Sequence, residues 1–180
     1  MKFRFAGLFA VLFLLSATAW GGNAMGMTIT SPAFSQSAEI PTVYTGLGKD
    51  ISPPLTFSNV PAGTKSLVLI IDDPDAPDPA APRMTWVHWV LYNIPPETNG
   101  LAEGVQSLPV GTQEGMNDFK RRSYGGPHPP VGRHRYFHKL YALDTTLFFK
   151  GVPTKADIEK EMTGHIMAEA VLMGTYQVKK

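Results

Sequence analysis

Two aspartates and two histidines are the residues of this sequence best suited to acid–base or anion-binding chemistry. Asp73 and Asp75 follow an apolar run that predicts a buried strand, and His88 lies within an aromatic stretch. His134 stands at the entrance of another candidate strand, and Tyr136, two residues later, points the same way. A carboxylate that binds one imidazole nitrogen fixes the tautomer, and free ring nitrogens can donate to an anion such as phosphate. The pattern predicts a small polar pocket in which His88 and His134 bind an oxyanion and Asp73 orients one of them.

Each of these residues also has a plain structural explanation. A lone buried histidine is often satisfied within a core, and aspartates commonly stabilise turns. The functional interpretation depends on their joint occurrence beside two loops rich in Pro and Gly, residues 73–83 and 124–133. Stiff loops lose less entropy when they hold a binding geometry, so we expect both loops to flank the pocket.

A metal centre and a hydrolase are alternative uses of the same residue types. Asp and His bind zinc or iron, but at least three ligands must converge, and no His-x-Glu or His-Glu-x-x-His spacing occurs. Hydrolysis needs an activated nucleophile, and there is no Cys and no Gly-x-Ser-x-Gly, while nothing local activates Ser123. Phosphate-cradling and dinucleotide fingerprints do not occur either. We therefore expect no metal, no cofactor and no catalysis.

Composition narrows the possible classes of protein. The chain has 180 residues, of which 43% are hydrophobic and 17% charged, which suits one folded domain. Sixteen Lys and Arg against fifteen Asp and Glu give a net charge of +1, so electrostatics offers no case for a nucleic-acid partner. The absence of Cys excludes disulfides, thiolate metal sites and a cysteine nucleophile.

The first 24 residues have the pattern of a secretory signal peptide. Lys2 and Arg4 precede an apolar run of about 14 residues, which is short for a membrane span of about 20 residues. Small residues allow cleavage after Ala24, which we prefer, or after Ala19. An uncleaved membrane anchor is the alternative. We expect a periplasmic or secreted mature domain, residues 25–180, without a transmembrane segment.

Most of the mature sequence predicts β-structure. Residues 66–71 form a continuous apolar run, and residues 85–94 are dominated by aromatic and β-branched side chains. Residues 135–143 predict a third strand, and residues 170–178 predict a final one. The bond between Ala76 and Pro77 is expected to be cis, because the chain must turn sharply and an X-Pro bond adopts cis at a cost of only about 0.5–1 kcal/mol.

One helix is predicted near the C-terminus. Thr154 and Asp157 have the spacing of a capping box, in which the side chain of each residue accepts a hydrogen bond from the backbone N–H of the other. Ile158, Met162 and Ile166 recur every four residues and are expected to form the buried stripe of this helix.

Four sequence segments together resemble the phosphatidylethanolamine-binding protein (PEBP) family, in particular its bacterial, Raf kinase inhibitor-like branch. The segments are Asp-Pro-Asp-Ala-Pro at 73–77, Trp-Val-His-Trp at 86–89, Tyr-Gly-Gly-Pro-His-Pro-Pro at 124–130 and Gly-Arg-His-Arg-Tyr at 132–136. Gly-His at 164–165 and Gly-Thr-Tyr at 174–176 are also similar to that branch. The resemblance covers about residues 27–178.

The resemblance implies a mostly β fold, a Greek-key β-sandwich with one or two short helices near the C-terminus. It also implies a small anion pocket that takes phosphate, acetate or a phospholipid headgroup. Asp73, His88 and His134 are expected to line this pocket. Asp75 and Tyr136 are expected to support it, with Gly126 and His128 on its rim.

Three features depart from the family pattern. Bacterial relatives often have Cys where His128 stands, so the chemistry of the rim differs. The stretch from Pro130 to His134 is shorter than in eukaryotic members, and no helix follows Tyr176, so we expect a more open pocket.

We therefore expect an exported, non-catalytic protein that binds a small anion or a phosphorylated headgroup. One alternative is an interaction or inhibitor module, in which the Pro-rich loops contact an unidentified protein partner. Another is an enzyme that uses His88 and His134 as acid and base. The kinase-inhibitor role does not carry over, because an exported protein does not meet a cytosolic kinase.

Overall fold

Two antiparallel β-sheets make up most of the fold. The computed structural model describes residues 26–179. Three strands form the smaller sheet in the order β1-β2-β5: β1 is Thr28–Thr30, β2 is Leu55–Ser58 and β5 is Gly100–Leu101. The larger sheet has five strands in the order β6-β4-β3-β7-β8. These strands are β3 Ser66–Ala76, β4 Met84–Ile94, β6 Gln113–Glu114, β7 His134–Leu143 and β8 Ile166–Tyr176.

The larger sheet contains a Greek key. Strands β3, β4 and β6 lie side by side in chain order, and β7 returns to pair with the other edge of β3. All four pairings within the larger sheet are antiparallel. The predicted mostly β, Greek-key architecture is confirmed.

Strand β3 is buried on both faces, which explains its uninterrupted apolar sequence. Leu67, Leu69 and Ile71 belong to the core that also contains side chains of the smaller sheet, such as Phe57. On the opposite face, Val68 and Ile70 pack in a second core with Ile158 and Met162 of the α-helix α1, Lys155–Met162. The central strand therefore carries side chains into two separate cores.

Helix α1 begins as predicted and ends earlier. Thr154 and Asp157 form the capping box, and Ile158 and Met162 are buried. Ile166 does not belong to the helix, which corrects the expected stripe. Gly164 turns the chain at a positive φ of 85°, after which Ile166 begins β8 and remains 45% exposed. Strand β8 thus starts four residues before the predicted 170–178 segment.

One further boundary and one additional element differ from the prediction. Strand β3 continues through Ala76, because residues 72–76 still pair with β4, so the first predicted loop is shorter. A short 3-10 helix, Thr42–Tyr44, lies in the N-terminal half of the chain. The predicted cis bond between Ala76 and Pro77 is present.

The predicted signal peptide, residues 1–24, lies outside the described residues. Within residues 26–179, no helix combines the length and the hydropathy that crossing a bilayer requires.

Candidate functional site

A cavity of about 270 Å³ opens at the end of the larger sheet where β3 finishes and β4 and β7 begin. Its polar wall consists of Asp73, His88, His128, His134 and Tyr136. The antiparallel pairing of β3 with β4 and β7 brings four of these residues together, since it sets the end of one strand beside the starts of its neighbours, and His128 comes from the loop 124–133. Five of the seven residues predicted from the sequence therefore line one cavity.

Asp75 does not line this cavity. Its side chain is only 3% exposed, and it accepts two hydrogen bonds from the Arg135 guanidinium, 2.6 Å from Nη2 to Oδ1 and 2.9 Å from Nε to Oδ2. These bonds lower the pKa of the Asp75 carboxyl, so it is ionised at neutral pH. Asp75 supports the site indirectly, because it holds Arg135 at the start of β7, next to His134.

Gly126 also lies outside the cavity lining. Its backbone N–H donates to Asp50 Oδ1 at 2.5 Å. A Cβ added at Gly126 would lie 2.5 Å from the Tyr44 carbonyl oxygen, so the position admits no side chain. The backbone N–H of Gly126, which was expected on the rim, is therefore already bound to Asp50.

The Asp73 carboxylate and the His134 ring form a buried pair. His134 Nδ1 donates to Asp73 Oδ2 at 2.7 Å, and the two side chains are 1% and 5% exposed. His134 Nε2 lies 2.9 Å from the Val131 carbonyl oxygen. Both ring nitrogens therefore face acceptors, an arrangement that only the imidazolium form can satisfy completely. This differs from the expectation that His134 donates directly to an anion, because the 124–133 loop folds back onto Nε2.

His88 is held by a different partner. Its Nδ1 donates to the Gly125 carbonyl oxygen at 2.6 Å, which places the lone pair of a neutral ring on Nε2. Burial lowers the pKa of His88, so the ring is neutral at neutral pH. Nε2 has no hydrogen-bond partner among residues 26–179, in contrast to both nitrogens of His134.

Tyr136 lies between the two histidines. Its ring meets His88 edge to face at 5.2 Å and stacks on His134 at 6.4 Å, measured between ring centroids. The hydroxyl is buried, and it has no hydrogen-bond partner in the part of the chain that the structure describes. Burial and the nearby charge of Asp73 raise its pKa, so the hydroxyl keeps its proton and can donate.

Aromatic and proline side chains form the rest of the wall. Trp86 and Phe119 meet edge to face at 5.4 Å, and the Phe119 ring lies 5.5 Å from that of His88. Pro77 and Pro129 come from the two predicted loops, which do flank the cavity. The apolar surface lowers the local dielectric and strengthens any hydrogen bond made inside.

A family model for the phosphatidylethanolamine-binding protein matches residues 30–177, nearly all of the described chain. The chain belongs to this family. The PEBP fold thus accounts for the sandwich, and the cavity lies among the sequence segments that suggested the resemblance.

Curated relatives and solved structures agree with this assignment. A UPF0098 protein of Methanothermobacter thermautotrophicus is 46% identical over 84% of this chain and 99% of its own length. The crystal structure of the PEBP homologue CT736 from Chlamydia trachomatis has 44% identity and a TM-score of 0.79, covering 86% of this chain and 99% of that one. Escherichia coli YbcL has 30% identity and a TM-score of 0.76, with 85% and 99% covered.

Two groups of residues at this PEBP site were missed by reasoning from the sequence. Trp86 and Phe119 supply the aromatic wall, while Asn117 and Asp50 bind the backbone of the segment beside His88. Trp86 lies two residues before His88 on β4 and so shares its face, and that spacing was the available signal. The other three lie in loops, where no periodicity relates a side chain to the site.

In residues 26–179, no three His, Asp or Glu side chains are grouped so that they could hold a metal ion.

Proposed function

We propose that this PEBP-family protein binds a small oxyanion, either free phosphate or the phosphate of a phospholipid headgroup, without chemical conversion. The observation that carries the proposal is a pair of unused polar atoms on one cavity wall. These are the Tyr136 hydroxyl and His88 Nε2, neither of which has a partner among the described residues. A buried polar group without a partner is uncommon, and we infer that a bound ligand satisfies the Tyr136 hydroxyl and meets His88 Nε2 beside it.

The Asp73 carboxylate does not oppose an anion as a free charge would. Oδ1 accepts the backbone N–H of Asp75 at 2.8 Å, and Oδ2 accepts Nδ1 of His134 at 2.7 Å. Both carboxylate oxygens are therefore already bound to donors of the protein, one on the backbone and one on the His134 ring. The proposed roles are therefore distinct: Tyr136 and His88 contact the anion, and the hydrogen-bonded Asp73–His134 pair supports the cavity wall beside them.

A non-catalytic role is supported by the same contacts. An acid–base pair needs two groups that can each exchange a proton with a substrate. Both nitrogens of His134 are bound to protein acceptors, so His134 is not free to act as the second member of a His88–His134 acid–base pair.

Replacing Tyr136 by Phe is expected to weaken binding of inorganic phosphate about tenfold to hundredfold, the effect of removing one hydrogen bond to a charged group. We expect wild-type dissociation constants of roughly micromolar to millimolar, measured by NMR titration. Tyr141→Phe is the matched control, because Tyr141 lies on the same strand outside the cavity lining. Phosphate and phosphoethanolamine titrations distinguish the free anion from a headgroup. Equal binding by Tyr136→Phe and wild type would show that the site is placed wrongly.

The same titration at pH 6 and pH 8 tests the protonation of the site. The Nε2 atom of neutral His88 carries a lone pair, which repels a fully deprotonated phosphate. Binding therefore requires one added proton, either on the His88 ring or on the phosphate. Since the second pKa of a phosphate monoester is about 6, binding of phosphoethanolamine should strengthen as the pH falls from 8 to 6. His88→Gln, whose amide donates at every pH, should show a smaller pH dependence. Binding that is as strong at pH 8 as at pH 6 contradicts this assignment.

We also propose that the protein is exported. The support is the basic start, the short apolar run and the small residues before Met25. N-terminal sequencing of the native protein should give a chain that begins at Met25, or at Trp20 if cleavage follows Ala19. An intact Met1 in cytosolic protein would contradict export.

A further inference from the structure

We propose that Asn117 and Asp50 are positioning residues that hold the backbone of the Tyr124–Gly126 segment against β4 and so keep His88 Nε2 free for the ligand. The proposal deepens the proposed function and depends on it only for the ligand-binding readout. The tautomer of His88 is a property of the unliganded protein and can be measured independently.

Gly125 is the residue that forms hydrogen bonds with His88 directly. Its N–H donates to the His88 carbonyl oxygen at 3.1 Å, and its own carbonyl accepts His88 Nδ1 at 2.6 Å. One glycine therefore binds both the backbone and the ring of His88. The ring keeps its proton on Nδ1 only while the Gly125 carbonyl remains at this place.

Strand pairing does not hold Gly125 in position. The short strand β6 ends at Glu114, and the described chain beyond it leaves the ladder and folds over the edge of β4. Only separate backbone hydrogen bonds, such as those from Asp118 N–H to the Val87 carbonyl and from Gly125 N–H to the His88 carbonyl, tie this region to β4, so side chains supply the remaining support.

Asn117 supplies the inner support. It is 2% exposed, and its Nδ2 donates to the carbonyls of His88, at 3.1 Å, and Ser123, at 2.8 Å. Its Oδ1 accepts the N–H of Arg121 at 3.1 Å. Both amide hydrogens and the amide oxygen are used, so this side chain joins the two ends of the loop to the backbone of the residue that faces the ligand.

Asp50 supplies the outer support. Its Oδ1 accepts the N–H of Gly126, and its Oδ2 pairs with Arg121 Nη2 at 2.8 Å. The same Nη2 donates to the Tyr124 carbonyl at 2.9 Å. The carbonyl of Tyr124 and the N–H of Gly126 are thus fixed on either side of Gly125. The Asp50–Arg121 pair is 36% and 43% exposed, so we expect Asp50 to contribute less than the buried Asn117.

The decisive measurement is the protonation of the His88 ring nitrogens in unliganded protein, from imidazole ¹⁵N shifts in NMR at pH 7.5. Wild type should have the proton on Nδ1. Asn117→Ala should give a mixture of the two tautomers, and because a proton on Nε2 donates to the anion at every pH, its phosphate affinity should change less between pH 8 and pH 6 than that of wild type.

Asn93→Gly is the matched control for loss of stability alone. Asn93 also lies on β4, and its side-chain amide binds the backbone of a loop. The amide donates to the Leu147 carbonyl and accepts the Leu147 N–H, both at 2.8 Å. Its φ of 54° suits glycine, so the substitution removes these hydrogen bonds without backbone strain. We expect this variant to be less stable and to keep the wild-type tautomer and phosphate affinity.

Variants of the exposed Asp50 keep the proposal testable if Asn117→Ala does not fold. Asp50→Ala should shift the tautomer in the same direction by a smaller amount, and Asp50→Asn, which keeps an acceptor for Gly126, should restore most of the wild-type signal. A pure Nδ1–H tautomer in folded Asn117→Ala, or in Asp50→Ala when only that variant folds, overturns the proposal. If wild type fails to bind phosphate while the tautomer shifts as expected, the positioning role stands and the proposed function fails.

Discussion

Replacing both Lys139 and Lys155 by Met is expected to lower the free energy of unfolding by about 3–5 kcal/mol, the usual effect of leaving a buried charge without its partners. Asp72 is fully buried, and its Oδ2 accepts Lys139 Nζ at 2.8 Å and Lys155 Nζ at 2.7 Å. Methionine retains most of the apolar stem, so the loss reports on charge rather than on volume. Lys155 lies in the first turn of α1, so this cluster also ties the helix to the sheet.

Chemical denaturation at neutral pH measures this effect. Asp144→Ala is the matched control, because the Asp144–His165 pair has the same 2.8 Å separation but is 54% and 46% exposed. Its removal should cost at most about 1 kcal/mol. Adding Asp72→Asn to the double variant should recover much of the stability. A loss below 1 kcal/mol in the double variant would mean that Asp72 is not held there as a buried charge.

Replacing Gly126 by Ala is expected to destabilise the protein by about 1–3 kcal/mol, as overpacking of a tight site does, and to weaken phosphate binding. The added Cβ would lie 2.5 Å from the Tyr44 carbonyl oxygen and 2.8 Å from Asp50 Oδ1. The Tyr44 carbonyl cannot retreat freely, since it accepts the buried Tyr124 hydroxyl at 2.9 Å. The segment must therefore move, and Gly125 moves with it, away from His88.

Thermal unfolding and phosphate titration of Gly126→Ala test both parts of this expectation. Gly151→Ala is the control, because a Cβ at that position has no neighbour within 4 Å. It should leave both stability and binding unchanged. Wild-type behaviour of Gly126→Ala would show that the packing around this segment is looser than the structure indicates.

The central strands and the start of the helix could be predicted from short stretches of sequence. The apolar run at 66–71 and the aromatic stretch at 85–94 predicted β3 and β4, because burial on both faces requires continuous hydrophobic residues. The capping box at Thr154 predicted the start of α1, because both of its partners lie within one turn. The motifs around Asp73, His88 and His134 predicted the family.

Which partner each polar side chain binds could be read only from the folded structure. Asp73 and Asp75 are two residues apart, yet one pairs with His134 at the cavity and the other with Arg135 outside its lining. Ile166 has helical spacing from Met162, yet Gly164 turns the chain and Ile166 opens β8.

The physical reason is the range over which each interaction acts. Hydrophobic period and capping relate residues within a few positions, so they can be recognised in a short stretch of sequence. The contacts that define the site join residues far apart in the chain: His88 with Gly125 spans 37 positions, Asp73 with His134 spans 61, and Asp50 with Gly126 spans 76. Such hydrogen bonds depend on loop geometry and side-chain direction. Only the folded chain therefore determines that, among residues 26–179, the Tyr136 hydroxyl and His88 Nε2 lack partners while both ring nitrogens of His134 have them.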